Sequence, residues 1–252
     1  LVLFIDDWHW ADHASRQLLH TLHRDGQALL LATTRAEAGH QQAGADATIA
    51  LAPFSEQESL ATVQEILPGA DPFLAGQIAR QAGGNPLFIE ELCHFAAVAR
   101  APGALQPLQG GPAWLETLIA SRVARLSAPQ RQVIDTAAVV GTLVPAWLLE
   151  RLVGKPAGHP DVRALAEQDL LFAADEPGLL RFKHGITRDV VYAEIGLLAR
   201  RALHRRAAEL LVAPGGPAAE AQVCEALAYH FSGAADPAPA AQYAAMAGDK
   251  AM

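Results

Sequence analysis

The sequence predicts an α/β beginning that gives way to a mainly α chain, and three observations carry that prediction. Short apolar runs alternate with a helical stretch over residues 1–54, as strands and helices do around a parallel sheet. From Ser55 onward, apolar residues recur at helical spacing between capping and breaking residues. One stretch near 170–184 breaks that pattern, with two apolar runs either side of a turn, as in a β-hairpin.

In chain order, LVLFI at 1–5 is an apolar run ended by acids, the pattern of a strand buried on both faces of a parallel sheet. SRQLLHTLHR follows, with Leu18, Leu19 and Leu22 on one helical face. ALLLATT at 28–34 and ATIALAPF at 47–54 form a second and a third buried run. Ser55 and Glu58 make a capping box that opens a helix through about Leu67. Asp71 and Pro72 read as N-cap and first helical residue, with Leu74 and Ile78 one turn apart. GGNP at 83–86 closes that helix and opens another, in which Phe88, Leu92 and Phe95 share a face. The Pro/Gly-rich stretch 101–112 reads as a linker.

Beyond it, Leu115, Leu118, Ile119, Val123 and Leu126 keep helical spacing, and Ser127 with Gln130 caps a helix carrying Ile134, Ala137 and Val140. Shorter helices are expected from near Pro145 and Asp161. LLFAAD, a DEPG turn and LLRFKH then read as a hairpin. Three helices, a hairpin and a further helix are the layout of a winged helix. From Leu197 the chain is Ala-rich and helical, broken by PGGP at 214–217 and DP at 236–237. Residues 220–252 predict a helical hairpin with Val223, Leu227 and Phe231 on one face and Tyr243, Ala244 and Ala247 on the other.

Composition bounds the function. At 51% hydrophobic and 18% charged residues over 252 positions, the chain is globular. A net charge of -8 opposes chain-wide attraction to nucleic acid. Cys93 and Cys224 are far apart, which gives neither a disulfide framework nor a thiolate metal site and points to a reducing cytoplasm. No apolar run is long enough to span a membrane. Leu1 stands inside a predicted strand and the first methionine is Met246, so the chain reads as an internal piece of a longer protein.

The stretch LVLFIDDWHWADH puts two acids at the end of a greasy strand, and two chemistries compete for it. Asp7, His9, Asp12 and His13 are all metal-competent, but neighbours at a strand end and turn point in alternating directions and seldom converge. The other reading is a carboxylate pair that manages a magnesium nucleotide, one acid holding Mg²⁺ and one activating water. An ordinary strand with solvated acids at its end has the same appearance.

Four motifs in order bear on this choice. IDDWHWAD resembles the Walker B segment of the STAND class of AAA-like signalling ATPases, and AlaThrThrArg at 32–35 resembles their sensor 1. GGNPLFIEEL at 83–92 is similar to their lid signature, and FKHGITRDVVY at 182–192 to a stretch of their winged helix. The resemblance implies a P-loop NTPase binding ATP or ADP with Mg²⁺. It implies Asp6 as the Mg²⁺ ligand and Asp7 as the water-activating residue, with the split left open because Asp6 stands where the family has Glu. It further implies that Arg35 contacts the γ-phosphate, Pro86 packs near the adenine and His184 touches the β-phosphate. The domains it implies are a partial NTPase core at 1–54, a helical lid at 55–100, a linker at 101–112, a winged helix at 113–195, and the start of tetratricopeptide-like repeats at 196–252.

A phosphate loop needs GxxxxGK[ST]. Gly154-Lys155 is followed by Pro156, and Leu149 stands where the first Gly belongs, so this chain carries no such loop. The family places it upstream of Leu1, and further repeats are expected beyond Met252 because one helical pair cannot bury its faces alone. Over 113–195, nine Lys/Arg stand against ten Asp/Glu, so the winged helix is expected to pack on the nucleotide module and not to bind DNA. Glu90 and Glu91 read as a solvated helical turn, and Arg200, Arg201, Arg205 and Arg206 as a solvated or internally paired face.

The function expected is an ATP-hydrolysing signalling switch in the cytoplasm, regulating transcription or a linked effector. A protein or small-molecule ligand is expected at the repeats, with self-association in the ATP state and no membrane contact. A repeat scaffold with a degenerate NTPase core, or an origin-recognition or clamp-loader type of AAA+ protein, are the alternatives.

Overall fold

The computed structural model describes residues 2–26, 29–34, 46–99, 112–212 and 223–251. Arg35, most of the 101–112 linker and the PGGP at 214–217 therefore lie outside the described residues. Contacts divide the chain into two units, Leu1–Ala52 and Pro53–Met252.

In the first unit, β1 (Val2–Ile5) and β2 (Leu29–Ala32) pair in parallel, Val2 opposite Leu29 and Ile5 opposite Ala32. Helix α1 (His13–Arg24) connects them, its first turn capped by Asp12, whose Oδ1 accepts from the Ser15 N–H at 2.7 Å. Parallel pairing needs such a crossover. Burial on both faces is not observed, since Val2 is 67% and Phe4 62% exposed. Two strands, α1 and a short 3-10 turn (Trp8–Trp10) are described in this unit, and among the described residues they leave Val2, Phe4, Leu29 and Leu31 exposed. The third apolar run is a further departure. Residues 47–54 form no strand, and Leu51 is 92% exposed. A strand exists only where a neighbour takes its backbone groups, and no described strand of this unit does so.

The second unit opens with three helices, α2 (Glu56–Ile66), α3 (Pro72–Ala82) and α4 (Pro86–Ala99). The Ser55–Glu58 capping box forms in full, and Asp71 accepts from the N–H groups of Phe73 and Leu74. Asn85 Oδ1 accepts from Leu87 and Phe88, so α4 starts at Pro86 with its first amides satisfied. Between α3 and α4, Gly84 takes a left-handed φ of 78°, and its carbonyl accepts the Phe54 N–H at 2.8 Å. A Cβ there would stand 2.4 Å from the Phe54 carbonyl oxygen. The tail of the exposed apolar run is thus held by the GGNP turn.

These helices share a core of Val63, Ile78, Ile89, Leu92 and Cys93. Helix α5 (Pro112–Val123) closes it with Trp114 and Leu118, and Phe88 stacks on the Trp114 ring at 5.9 Å. Leu115, Ile119 and Val123 on the same helix enter a second, larger core. That core is built by α6 (Ala128–Val140), α7 (Ala146–Val153), α8 (Pro160–Glu167), α9 (Gly185–Glu194), α10 (Leu197–Val212), α11 (Cys224–Gly233) and α12 (Pro237–Ala251). Ile134, Leu148, Leu165, Val191, Ala207 and Leu227 all belong to it, so the last helices share the core of the preceding ones.

A small antiparallel sheet joins this core. The hairpin forms between β4 (Leu171–Ala173) and β5 (Leu179–Phe182). A third strand, β3 (Leu143–Pro145), pairs with the other edge of β5 and was not anticipated from the sequence. Three residues ending in proline show no period, and Pro145 lies at the end of an edge strand, where its missing N–H costs nothing.

Candidate functional site

The acid pair at the end of β1 is held by Thr33, just past β2. Thr33 donates its backbone N–H to the Ile5 carbonyl at 2.9 Å and accepts the Trp8 N–H on its own carbonyl at 2.8 Å. Its hydroxyl accepts the Asp7 N–H at 2.9 Å and donates to Asp6 Oδ1 at 2.5 Å. Asp7 is thereby turned into the left-handed region, φ 56° and ψ 46°, which Asp tolerates better than most residues. Asp6 is oriented by one oxygen, and among the described residues Oδ2 is the oxygen left for a cation. Asp7 Oδ1 lies 3.7 Å from His9 Nδ1, and its side chain is half exposed. A magnesium ion is bound through one or two carboxylates together with water and phosphate, and this pair fits that donor set.

The cage of Asp7, His9, Asp12 and His13 does not assemble. Asp12 is used as the α1 cap, which holds its carboxyl below the ordinary carboxylate range through the Ser15 N–H. Among the described residues, the one group of carboxylates and imidazoles with all its ligand atoms within 4.8 Å is elsewhere, at Glu90, His94 and Asp169.

His184 belongs to that second assembly. It occupies the N-cap of α9 without capping it, and its Nε2 lies 3.4 Å from Glu90 Oε2. Lys183 beside it reaches Glu90 Oε1 at 2.8 Å and Asp169 Oδ1 at 3.3 Å. His94, one turn along α4 from Glu90, lies 3.7 Å from Glu90 and 3.5 Å from Asp169. Asp169, between α8 and β4, has a left-handed φ of 55°. Burial would raise the Glu90 carboxyl, but the neighbouring His184, His94 and Lys183, with the Lys183 charge, hold it far below the usual range. Lys183 answers with a raised value, Glu90 and Asp169 outweighing its own burial.

Glu90 and Glu91 are therefore not a solvated turn. Glu91 is 2% exposed, and Arg122 from α5 donates to its Oε1 at 2.6 Å while also bonding the Gln168 carbonyl. Two acids in an otherwise apolar helix, LFIEELCHF, cannot both face water when Ile89 and Leu92 beside them are fully buried. That composition was the available signal for both of them and for His94. Pro86 is the first residue of α4.

A third polar assembly ties α9 to α10 and α11. His204 and His230 face each other through their Nδ1 atoms at 3.0 Å, and the Tyr192 hydroxyl lies 2.9 Å from His204 Nε2. The Tyr192 hydroxyl and the two imidazoles thus form one continuous hydrogen-bonded chain. Arg188 and Arg200 lie over the Tyr192 ring, and Arg188 donates to the Tyr229 hydroxyl at 2.6 Å. In the basic group, Arg200 is paired in this way, and Arg201, Arg205 and Arg206 are exposed.

No protein-family model matches the chain. It is 29% identical over 223 residues to an uncharacterized protein of Rhizobium meliloti, covering 81% of this chain and 22% of that one. In structure it is similar to a Signal Transduction ATPase with Numerous Domains (STAND) protein with a tetratricopeptide repeat sensor from Pyrococcus horikoshii. The TM-score is 0.61 over 93% of this chain and 33% of that one, at 12% identity. The likeness shows a shared, mostly helical fold, and the chain spans about a fifth and a third of the lengths of these two proteins. Among the described residues, no helix is long and apolar enough to cross a membrane.

Proposed function

We propose that this chain is part of an ATP-hydrolysing signal-transduction switch of the STAND class, acting in the cytoplasm on transcription or on a linked effector. The observation that carries the reading is the Thr33 clasp, which orients one carboxylate and lifts the next into a left-handed turn at the end of a parallel strand. The fold shared with a STAND protein supports it. In this reading Asp6 would hold Mg²⁺ and Asp7 would accept the proton of the attacking water. The bound ion supplies charge neutralisation at the phosphates. Arg35 contacts the γ-phosphate, Pro86 packs near the adenine and His184 bonds the β-phosphate. Residues 113–195 act as a winged helix, with β3 completing its sheet, and α10 to α12 begin a helical array that binds a protein or small-molecule ligand. ATP against ADP biases two arrangements of these parts, and self-association belongs to the ATP state.

The test is made on His184 in the full-length protein. A hydrogen bond from an imidazole to a phosphate in a partly dry site contributes ~1.5–3 kcal/mol, so His184→Ala should speed ADP release roughly tenfold or more. If the melting temperature falls and ADP release is unchanged, His184 serves Glu90 alone.

A further inference from the structure

We propose that Glu90, His94 and Asp169, with His184 as a fourth donor, form a site for a divalent cation of the zinc type, and that Lys183 is its resident competitor. Glu90, His94 and Asp169 do not depend on the nucleotide reading, and His184, which that reading gives to the β-phosphate, is the one donor the two roles share. Glu90 and His94 stand one turn apart on α4, and Asp169 enters from the turn between α8 and β4. His94 Nε2 is 3.7 Å from Glu90 Oε1 and 3.5 Å from Asp169 Oδ2. Donors around a tetrahedral zinc with bonds near 2.0–2.1 Å are about 3.3 Å apart, so His94 stands near that spacing from both carboxylates, and the three ligand atoms lie within 4.8 Å of one another. His184 Nε2 stands 3.4 Å from Oε2, the other oxygen of the Glu90 carboxylate.

Two further observations point to a ligand. His94 Nε2 is a buried atom without a hydrogen bond among the described residues, and Glu90 Oε1 beside it meets only the Lys183 ammonium. The Lys183 contact to Glu90 Oε1 is an ion pair off the hydrogen-bond direction. The charge balance is also short by one. Arg122 neutralises Glu91, whereas Glu90 and Asp169 share the single ammonium of Lys183. A divalent ion in its place would balance both carboxylates, and Lys183, 31% exposed, has room to turn outward. Two imidazole nitrogens with two carboxylates suit zinc, whereas magnesium and calcium prefer all-oxygen sets. Cys93 lies next in sequence to His94, but it faces the first core and burial pushes its thiol up to about 11, so it is not a donor. A metal here would pin α4 to the α8–β4 turn and the start of α9.

The experiment titrates zinc chloride alone into the 252-residue chain by calorimetry and follows cobalt(II) by its visible ligand-field bands. One equivalent should bind, His94→Ala should abolish both signals, and Lys183→Met should bind at least about tenfold more tightly, as expected on removing a like charge a few ångströms away. Circular dichroism melts of each variant identify any that fails to fold, and His94→Gln then replaces His94→Ala. Absence of zinc binding to the wild-type chain overturns the proposal whatever Lys183→Met does. So does binding that persists in the His94 variants, or affinity that Lys183→Met leaves unchanged.

Discussion

Glu91 and Arg122 form the most buried ion pair among the described residues, and removing one partner leaves the other charged in an apolar setting. Arg122→Met should lower stability by about 3–5 kcal/mol, whereas adding Glu91→Leu should restore much of it, since a buried pair replaced by apolar groups is often neutral. Chemical denaturation followed by circular dichroism checks both. His204 and His230 give a second residue-scale expectation. Burial presses His230 down to about 3, with the His204 charge adding to it. It presses His204 to about 4, with Arg188 and Arg200 adding. Both folded values lie below the ordinary imidazole value of about 6.5, so the unfolded chain takes up protons first as pH falls. The contribution is complete above about pH 6.5 and is lost progressively as pH falls toward the folded values of about 4 and about 3. Glu90, held below its ordinary range, adds a further loss only beneath about pH 4.5. Denaturation midpoints at pH 7.5 and 5 should differ clearly in the wild type and much less in His230→Phe.

At the scale of elements, the GGNP turn allows a sharp comparison. Gly83 and Gly84 both have positive φ, but a Cβ on Gly83 meets nothing within 4 Å, whereas one on Gly84 strikes the Phe54 backbone. Gly83→Ala should therefore cost only the left-handed penalty of roughly 1–2 kcal/mol, and Gly84→Ala distinctly more. Thermal melts of the two variants decide it. The helices of the second unit were legible because their ends are local: Ser55, Asp71, Asn85 and Ser127 each sit where a cap is required, and each one caps. The strands were less so. The run at 47–54 has the composition of a strand, but pairing is a property of the neighbour, and the sequence of one segment does not contain its partner. Strand β3 failed for the opposite reason, being too short to carry a pattern while finding a partner in β5.

At the scale of the whole molecule, the sequence identified the residues at the end of β1 by type but not what holds them. Thr33 lies 26 residues from Asp7, and only the parallel register of β1 on β2 brings its hydroxyl to that turn. The assembly around Glu90 was hidden for the same reason. Its members come from α4, the α8–β4 turn and the start of α9, and their charges look like ordinary surface charges until packing removes the water. In the proposed reading, Asp6 and Asp7 serve hydrolysis of a magnesium nucleotide by the full-length protein. The most direct measurement is steady-state ATP hydrolysis and ATP binding by the full-length protein, wild type against Asp7→Asn. The account predicts a turnover reduced by about 10²-fold or more with affinity nearly unchanged, because proton removal matters in the transition state and ground-state binding rests on the phosphate loop. Turnover equal to the wild type in Asp7→Asn, or no hydrolysis by the wild type, would contradict it.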